Sequence, residues 1–207
     1  MRILIVDDHP MVRRGMRELL QSEHMISAIG EAETPEAALE ELRNHRWNIV
    51  LLDLQMSGHD GLDLLTTMRT ERPGMPILVV SAHPEDQYAV RVLRAGASGY
   101  VTKEAAPDVL IHAIKRVAAG GRYISETVAE HLARETHDAS TPLQTLSDRE
   151  YQVLTLIGQG NTVTEIAGKL SLSVKTVSTY RTRLLEKLSL RNTAELIRYA
   201  VDHHLVR

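Results

Sequence analysis

The stretch NIVLLDLQMSGHDGLDLLTTMRTE (48–71) decides the fold by the order of its parts. Ile49, Val50, Leu51 and Leu52 leave no polar face, so a strand built from them is covered on both sides. The run ends on a lone carboxylate, Asp53, and a loop follows. GLDLLTTMRTE (61–71) then spaces its apolar residues as an amphipathic helix does. Outward in both directions the alternation repeats. ILIVD (3–7), ISAIGEA (26–32), PILVV (76–80) and SGYV (98–101) are short and rich in Ile, Val and Leu. MVRRGMRELLQS (11–22), PEAALEELRNH (35–45), EDQYAVRVLRAG (85–96) and PDVLIHAIKRVAAG (107–120) are amphipathic. Pro10, Pro35, Pro84 and Pro107 stand near helix starts, where a missing N–H costs no intrahelical bond. Five strand–helix units in series predict an α/β doubly wound, five-stranded parallel sheet with helices on both faces.

Gly120-Gly121 closes this region, a short helix is expected at about 125–134, and ETHDASTPLQ (135–144) reads as a linker. Beyond it the pattern is purely helical: LSDREYQVLTLIGQG (146–160), TVTEIAGKL (162–170), VKTVSTYRTRLLEKL (174–188) and NTAELIRYAVDHHL (192–205). Ser147 with Glu150 forms a capping box, and Asn192 is a helix cap. A small all-α four-helix domain therefore follows the sheet. The expected limits are 1–122 for the first domain, 123–142 for a linker with a short helix, and 143–207 for the second.

The 207 residues suffice for two compact units, and 43% hydrophobic with 25% charged residues is ordinary for a globular protein. No apolar run approaches the roughly 18 residues of a membrane span. MRILIVDDHP (1–10) turns acidic too early for a secretory signal. Without cysteine there is neither disulfide nor thiolate metal site. These features predict a cytoplasmic protein with no membrane partner. Charge is divided: residues 1–142 carry a net −6 and residues 143–207 a net +3, which directs any nucleic acid to the second half. The ten histidines scatter without ligand spacing; only His9 and His83 fall near the acidic strand ends described next.

In an open parallel sheet, functional groups collect at the carboxyl ends of the strands. Here those ends carry Asp7 and Asp8, Asp53, Ser81 and Lys103. Clustered carboxylates persist together when a divalent cation compensates them, and an all-oxygen set suits Mg2+. Transfer of a phosphoryl group to a carboxylate needs mainly positioning and charge neutralisation. Asp53 is the best acceptor, Asp7 and Asp8 the better metal ligands, and Lys103 the cation that pairs with Asp53. The Asp7-Asp8 pair read alone serves equally well as a cap for the helix beginning near Pro10, and Asp53 alone as a loop cap.

VDDHP (6–10), LLDLQMSGHDGLDLL (51–65), VVSAH (79–83) and AGASGYVTK (95–103) resemble, in order and spacing, the receiver domain of two-component response regulators. The resemblance implies a flavodoxin-like receiver with Asp53 as phosphoacceptor and a Mg2+ site on Asp7, Asp8, Asp53 and the backbone carbonyl of Gln55. It also makes Lys103 the phosphate-binding lysine, Ser81 the switch hydroxyl and Tyr100 the switch aromatic, which turns inward on phosphorylation. Two positions depart from the pattern: Ser57 stands where Pro is usual, and Glu104 follows the lysine in place of Pro.

In the second domain, two short helices joined by a tight turn, the second basic, make a helix-turn-helix. LSDRE (146–150), EIA-x-x-L (165–170) and S-x-KTV (173–177) resemble LuxR/FixJ-type domains, and the whole chain resembles the NarL/FixJ subfamily. By that match Ser178, Thr179 and Thr182 read bases, while Lys175, Thr176, Tyr180 and Arg183 contact phosphates. Thr164 stands where many relatives have lysine. The last helix is implied to dimerise through Leu196, Ile197, Ala200 and Val201. The function implied is a phosphorylation-controlled transcription factor. Its expected partners are a sensor histidine kinase, double-stranded promoter DNA, a second copy on DNA, and RNA polymerase as a further candidate. It is not an enzyme beyond self-phosphorylation and autodephosphorylation at Asp53. Two other readings stand beside it. A phosphohydrolase of the haloacid dehalogenase type would want an Asp where Gln55 stands, and a receiver that is never phosphorylated would serve as a dimer scaffold.

Overall fold

A computed structural model of the chain describes residues 1–56, 59–82, 85–125, 128–129, 142–203 and 205–206. Ser57, His83 and Pro84, and most of the expected helix at 125–134 and linker at 135–144, lie outside them. The chain divides into two compact units, Met1–His137 and Asp138–Arg207. Among the described residues no helix is long and apolar enough to cross a membrane.

In the first unit, strands β1 (Arg2–Val6), β2 (Ala28–Ala32), β3 (Ile49–Leu52), β6 (Ile77–Ser81) and β7 (Gly99–Thr102) form one sheet in the order β2-β1-β3-β6-β7. Every pairing in it is parallel. Helices α1 (Pro10–Gln21), α2 (Pro35–Asn44), α3 (Gly61–Glu71) and α4 (Glu85–Arg94) make the four crossovers such a sheet requires, and α5 (Pro107–Ala118) follows its last strand. Side chains alternate across the sheet. Ile3, Ile5, Ile49, Leu51, Leu78, Val80 and Val101 form one buried cluster with Met16 and Leu20 of α1 and with Leu110, Ile114 and Val117 of α5. The residues between them, among them Leu4, Val6, Val50, Leu52 and Val79, are just as fully buried, so the sheet is covered on both faces. Winding reverses between β1 and β3, the crevice where ligands bind in such folds.

Two features differ from the sequence reading. The segment after Asp53 is no plain loop but a short antiparallel pair, β4 (Gln55–Met56) with β5 (His59–Asp60), held down by the buried Met56. Gly61 then begins α3 because a Cβ there would lie 2.4 Å from the Leu54 backbone. The chain just past residue 122, in the expected linker, also stays against the sheet. Tyr123 pairs with β7: its N–H donates to Ser98 O at 3.0 Å and its O accepts from Tyr100 N at 3.2 Å. A Cβ on Gly99 would meet Tyr123 O at 2.7 Å. Gly99→Ala is expected to pry this segment off β7 at a cost of about 1–3 kcal/mol, read from urea unfolding.

The second unit is a 3-10 turn (Pro142–Thr145) followed by α6 (Asp148–Gly158), α7 (Val163–Lys169), α8 (Val174–Lys187) and α9 (Thr193–Asp202). All four helices have side-chain caps: Ser147, Thr162, Ser173 and Asn192 accept from the N–H of Glu150, Glu165, Thr176 and Glu195. Glu150 does more than close its capping box. Its side chain is 3% exposed and takes Lys187 Nζ at 2.6 Å, tying α6 to the end of α8. Burial works to raise its pKa, but Lys187 and the Ser147 N–H outweigh it and hold the carboxyl below its usual value. The depressed folded value means that this stability is present above the ordinary glutamate range and lost as pH falls through the folded value. Glu150→Ala is expected to cost about 2–4 kcal/mol at pH 7 and less at pH 3, measured by denaturant titration.

Candidate functional site: an acidic pocket and a recognition helix

Three backbone bonds carry the sheet ladder one residue beyond its strands and so fix the pocket. Asp7 N donates to Ala32 O at 3.2 Å, Asp53 N to Val6 O at 2.8 Å, and Lys103 N to Ser81 O at 2.8 Å. Lys103 reaches back over the sheet edge, and its Nζ donates to Asp53 Oδ2 at 2.7 Å. Asp7 Oδ2 lies equally near that ammonium, at 2.7 Å. Asp53 Oδ1 accepts from Gln55 N at 3.1 Å. The carboxylates of Asp7 and Asp53 are almost wholly buried, and that of Asp8 is 16% exposed.

Burial, helped by the Asp7 charge, raises the Asp53 pKa against the opposing pull of Lys103 and the Gln55 N–H. For Lys103, burial pulls the pKa down, but its bonds and charge pairing with Asp53 and Asp7 win and raise it. The ammonium is thus held charged between two buried carboxylates. Asp7 also anchors the next turn: its Oδ1 accepts from His9 N at 2.8 Å, and its carbonyl accepts from Arg13 Nη1 at 2.6 Å. His9 is the N-cap residue of α1, and its own side chain makes no capping hydrogen bond.

Donor atoms of Asp7, Asp8, His9 and Asp53 all lie within 4.8 Å of one another. Three carboxylates around a common point suit a hard dication. His9 is the member whose donor role the sequence did not disclose. Its Nδ1 lies 2.8 Å from Asp8 Oδ1, and its place next to the Asp pair was the available signal. Ser81 and Tyr100 are both fully buried, Ser81 at the end of β6 and Tyr100 within β7. The Tyr100 ring is thus in a buried, inward position here. Glu104 is exposed.

On α8, Val177, Leu184 and Leu188 turn into the core. Lys175, Thr179, Thr182 and Arg183 are exposed, while Thr176, Ser178 and Tyr180 are half-buried. Two other cations of this helix turn toward the protein: Lys187 pairs with Glu150, and Arg181 Nη1 reaches Thr193 Oγ1 at 3.5 Å. On α9 the expected dimer stripe splits. Leu196 and Ala200 are fully buried in the domain's own core, so they cannot face a partner; Ile197 and Val201 are exposed.

A receiver pocket and a capped helix-turn-helix define a response regulator, and comparison with known proteins agrees. Residues 3–115 match the response regulator receiver domain, and residues 144–200 match bacterial regulatory proteins of the luxR family. The chain belongs to the response regulators of the NarL/FixJ type. It is similar to response regulator GacA of Pseudomonas aeruginosa, 38% identical over 210 residues, covering 99% of this chain and 97% of that protein. Response regulator UvrY of Escherichia coli strain K12 is 36% identical over 206 residues, 98% of this chain and 94% of that one. Among solved structures, the response regulator RcsB of Salmonella typhimurium aligns with a TM-score of 0.62 at 30% identity, over 97% of this chain and 99% of the other. RcsB from Salmonella enterica serovar Typhimurium, bound to promoter rprA in the presence of the phosphomimetic BeF3−, aligns at 0.61 and 30%, over 96% and 97%.

Proposed function

We propose that this chain accepts a phosphoryl group on Asp53 and in response binds promoter DNA through α8 as a dimer, acting as a cytoplasmic transcription factor. A receiver over 1–122, a linker over 123–142 and a DNA-binding domain over 143–207 divide the work. One observation carries the reading: Asp53 Oδ2 lies 2.7 Å from Lys103 Nζ in a pocket it shares with Asp7 and Asp8. A sensor histidine kinase is the natural donor; RcsB bound to DNA with a phosphomimetic supports the coupling by likeness. RNA polymerase is a further partner of such a factor.

Asp7, Asp8, Asp53 and the Gln55 carbonyl would hold Mg2+, with His9 Nδ1 at the rim. Bound there, the ion supplies charge neutralisation for the transferring phosphoryl oxygens. The rest is done by the chain. The Gln55 N–H holds Asp53 Oδ1, leaving Oδ2 as the attacking oxygen. Lys103 lets Oδ2 go as the new P–O bond forms and the donor's bond to phosphorus breaks, releasing histidine or, from acetyl phosphate, acetate, and it follows the charge onto the phosphoryl oxygens. In this reading the Ser81 hydroxyl, at the end of β6, donates to the same group. The switch is read as a population shift in which phosphate draws in the Ser81 hydroxyl and favours the inward, buried position of Tyr100. On DNA, Ser178, Thr179 and Thr182 face bases and Lys175, Thr176, Tyr180 and Arg183 face phosphates. The dimer contact on α9 rests on Ile197 and Val201.

Incubation with acetyl phosphate tests the chemistry. Intact mass is expected to rise by one phosphoryl group when Mg2+ is present and not when it is chelated. No gain, with acetyl phosphate or with a cognate kinase, overturns the reading in favour of the unphosphorylated scaffold.

A further inference from the structure

We infer that α8 reads thymine methyl groups: Val174, Thr179 and Thr182 select A·T pairs in the major groove through apolar contact. This rests on the reading of α8 as the DNA-binding helix, and it assigns a base class to that helix.

The first observation concerns protons. Thr179 Oγ1 donates to Lys175 O at 3.0 Å, and Thr182 Oγ1 donates to Ser178 O at 3.1 Å. A hydroxyl has one proton, and in both residues it is spent on the helix backbone. What remains on the exposed side is a methyl group and acceptor lone pairs. Adenine N6 and cytosine N4 both offer donors to those lone pairs, so the hydroxyls alone do not choose between A·T and G·C, and the choice falls to the methyl groups. Thymine offers a methyl, and its partner adenine an N6 donor.

The second observation is Val174, the first residue of α8, which is 48% exposed. Recognition helices place their N-terminal residues against base edges. An aliphatic side chain there finds no hydrogen bond to make, and the thymine methyl is the apolar feature of that groove. Charge limits the footprint. Lys175 and Arg183 are exposed cations beside the three residues, suited to phosphates, whereas Glu186, exposed one turn beyond Thr182, sets an anion against any phosphate it meets. The reading face therefore ends near Thr182.

The test uses the full chain incubated with Mg2+ and acetyl phosphate. A duplex is enriched from a randomised library, and its thymines are replaced one at a time by deoxyuridine, which lacks only the methyl. At two or three positions in each half-site the replacement is expected to weaken binding about two- to fivefold. Val174→Ala should abolish the penalty at one of these positions and Thr182→Ser at another, since serine keeps the hydroxyl and drops the methyl. A duplex that is enriched and bound with unchanged affinity after every replacement overturns the inference while leaving the DNA-binding function intact. Failure to enrich any sequence overturns the function and the inference together.

Discussion

Asp53→Asn is expected to take up no phosphoryl group under conditions in which the wild type takes up one, and to lose all phosphate-stimulated DNA binding. The substitution is nearly isosteric. The amide oxygen can still accept from Gln55 N, as Asp53 Oδ1 does at 3.1 Å, so the β3 end and the β4–β5 pair keep their anchor. Lys103 keeps a carboxylate partner in Asp7 at 2.7 Å. What disappears is the anionic oxygen that attacks phosphorus, for which the amide nitrogen is no substitute. Folding should survive, because removing a carboxylate whose pKa is raised by burial also removes its desolvation cost. Intact-mass measurement with acetyl phosphate, set beside circular dichroism, checks both halves. Uptake of one group by a folded Asp53→Asn protein would place the acceptor elsewhere.

The second large effect is on stability. Lys103→Gln leaves Asp7 and Asp53 buried together without their cation, at a cost of about 3–5 kcal/mol at pH 7. The sign of the pH dependence follows from the pocket. Burial and the Asp7 charge already raise the Asp53 pKa, and losing Lys103 raises it further. A carboxyl whose folded pKa is raised favours the folded state while protonated, and that advantage is lost as pH rises through the folded value. The deficit of Lys103→Gln is therefore largest at neutral pH and shrinks toward pH 4. A divalent cation should restore stability, with a gain that grows as the logarithm of its concentration once that exceeds the dissociation constant, as for any ligand of the folded state. Urea unfolding at pH 7 and pH 4, with and without Mg2+, measures both; a deficit equal at the two pH values would contradict the electrostatic explanation.

Much of the first unit was legible because a buried parallel strand leaves an unmistakable trace. Ile49–Leu52 has no polar residue, and the group following such a strand must stand at the sheet's carboxyl edge. Asp7, Asp53 and Lys103 meet for that reason. Other features turn on contacts between residues far apart in sequence. The ion pair of Lys187 joins it to Glu150, 37 positions earlier, a distance over which no local pattern speaks. The apolar stripe of α9 has one periodicity whether it meets its own domain or a partner, so Leu196 and Ala200 could not be told from Ile197 and Val201. The β4–β5 pair is too short for any alternation to announce it. The edge position of Tyr123 depends on Gly99 lacking a side chain 24 residues before it.

The central claim is that phosphate on Asp53 is coupled to affinity for DNA, and one titration tests it most directly. Fluorescence anisotropy with the enriched duplex, on wild-type protein in Mg2+ with and without acetyl phosphate, gives both dissociation constants at one salt concentration. Coupling of ordinary size predicts about 5- to 150-fold tighter binding after phosphorylation. Equal affinities, with mass measurement showing the phosphoryl group in place, would contradict it.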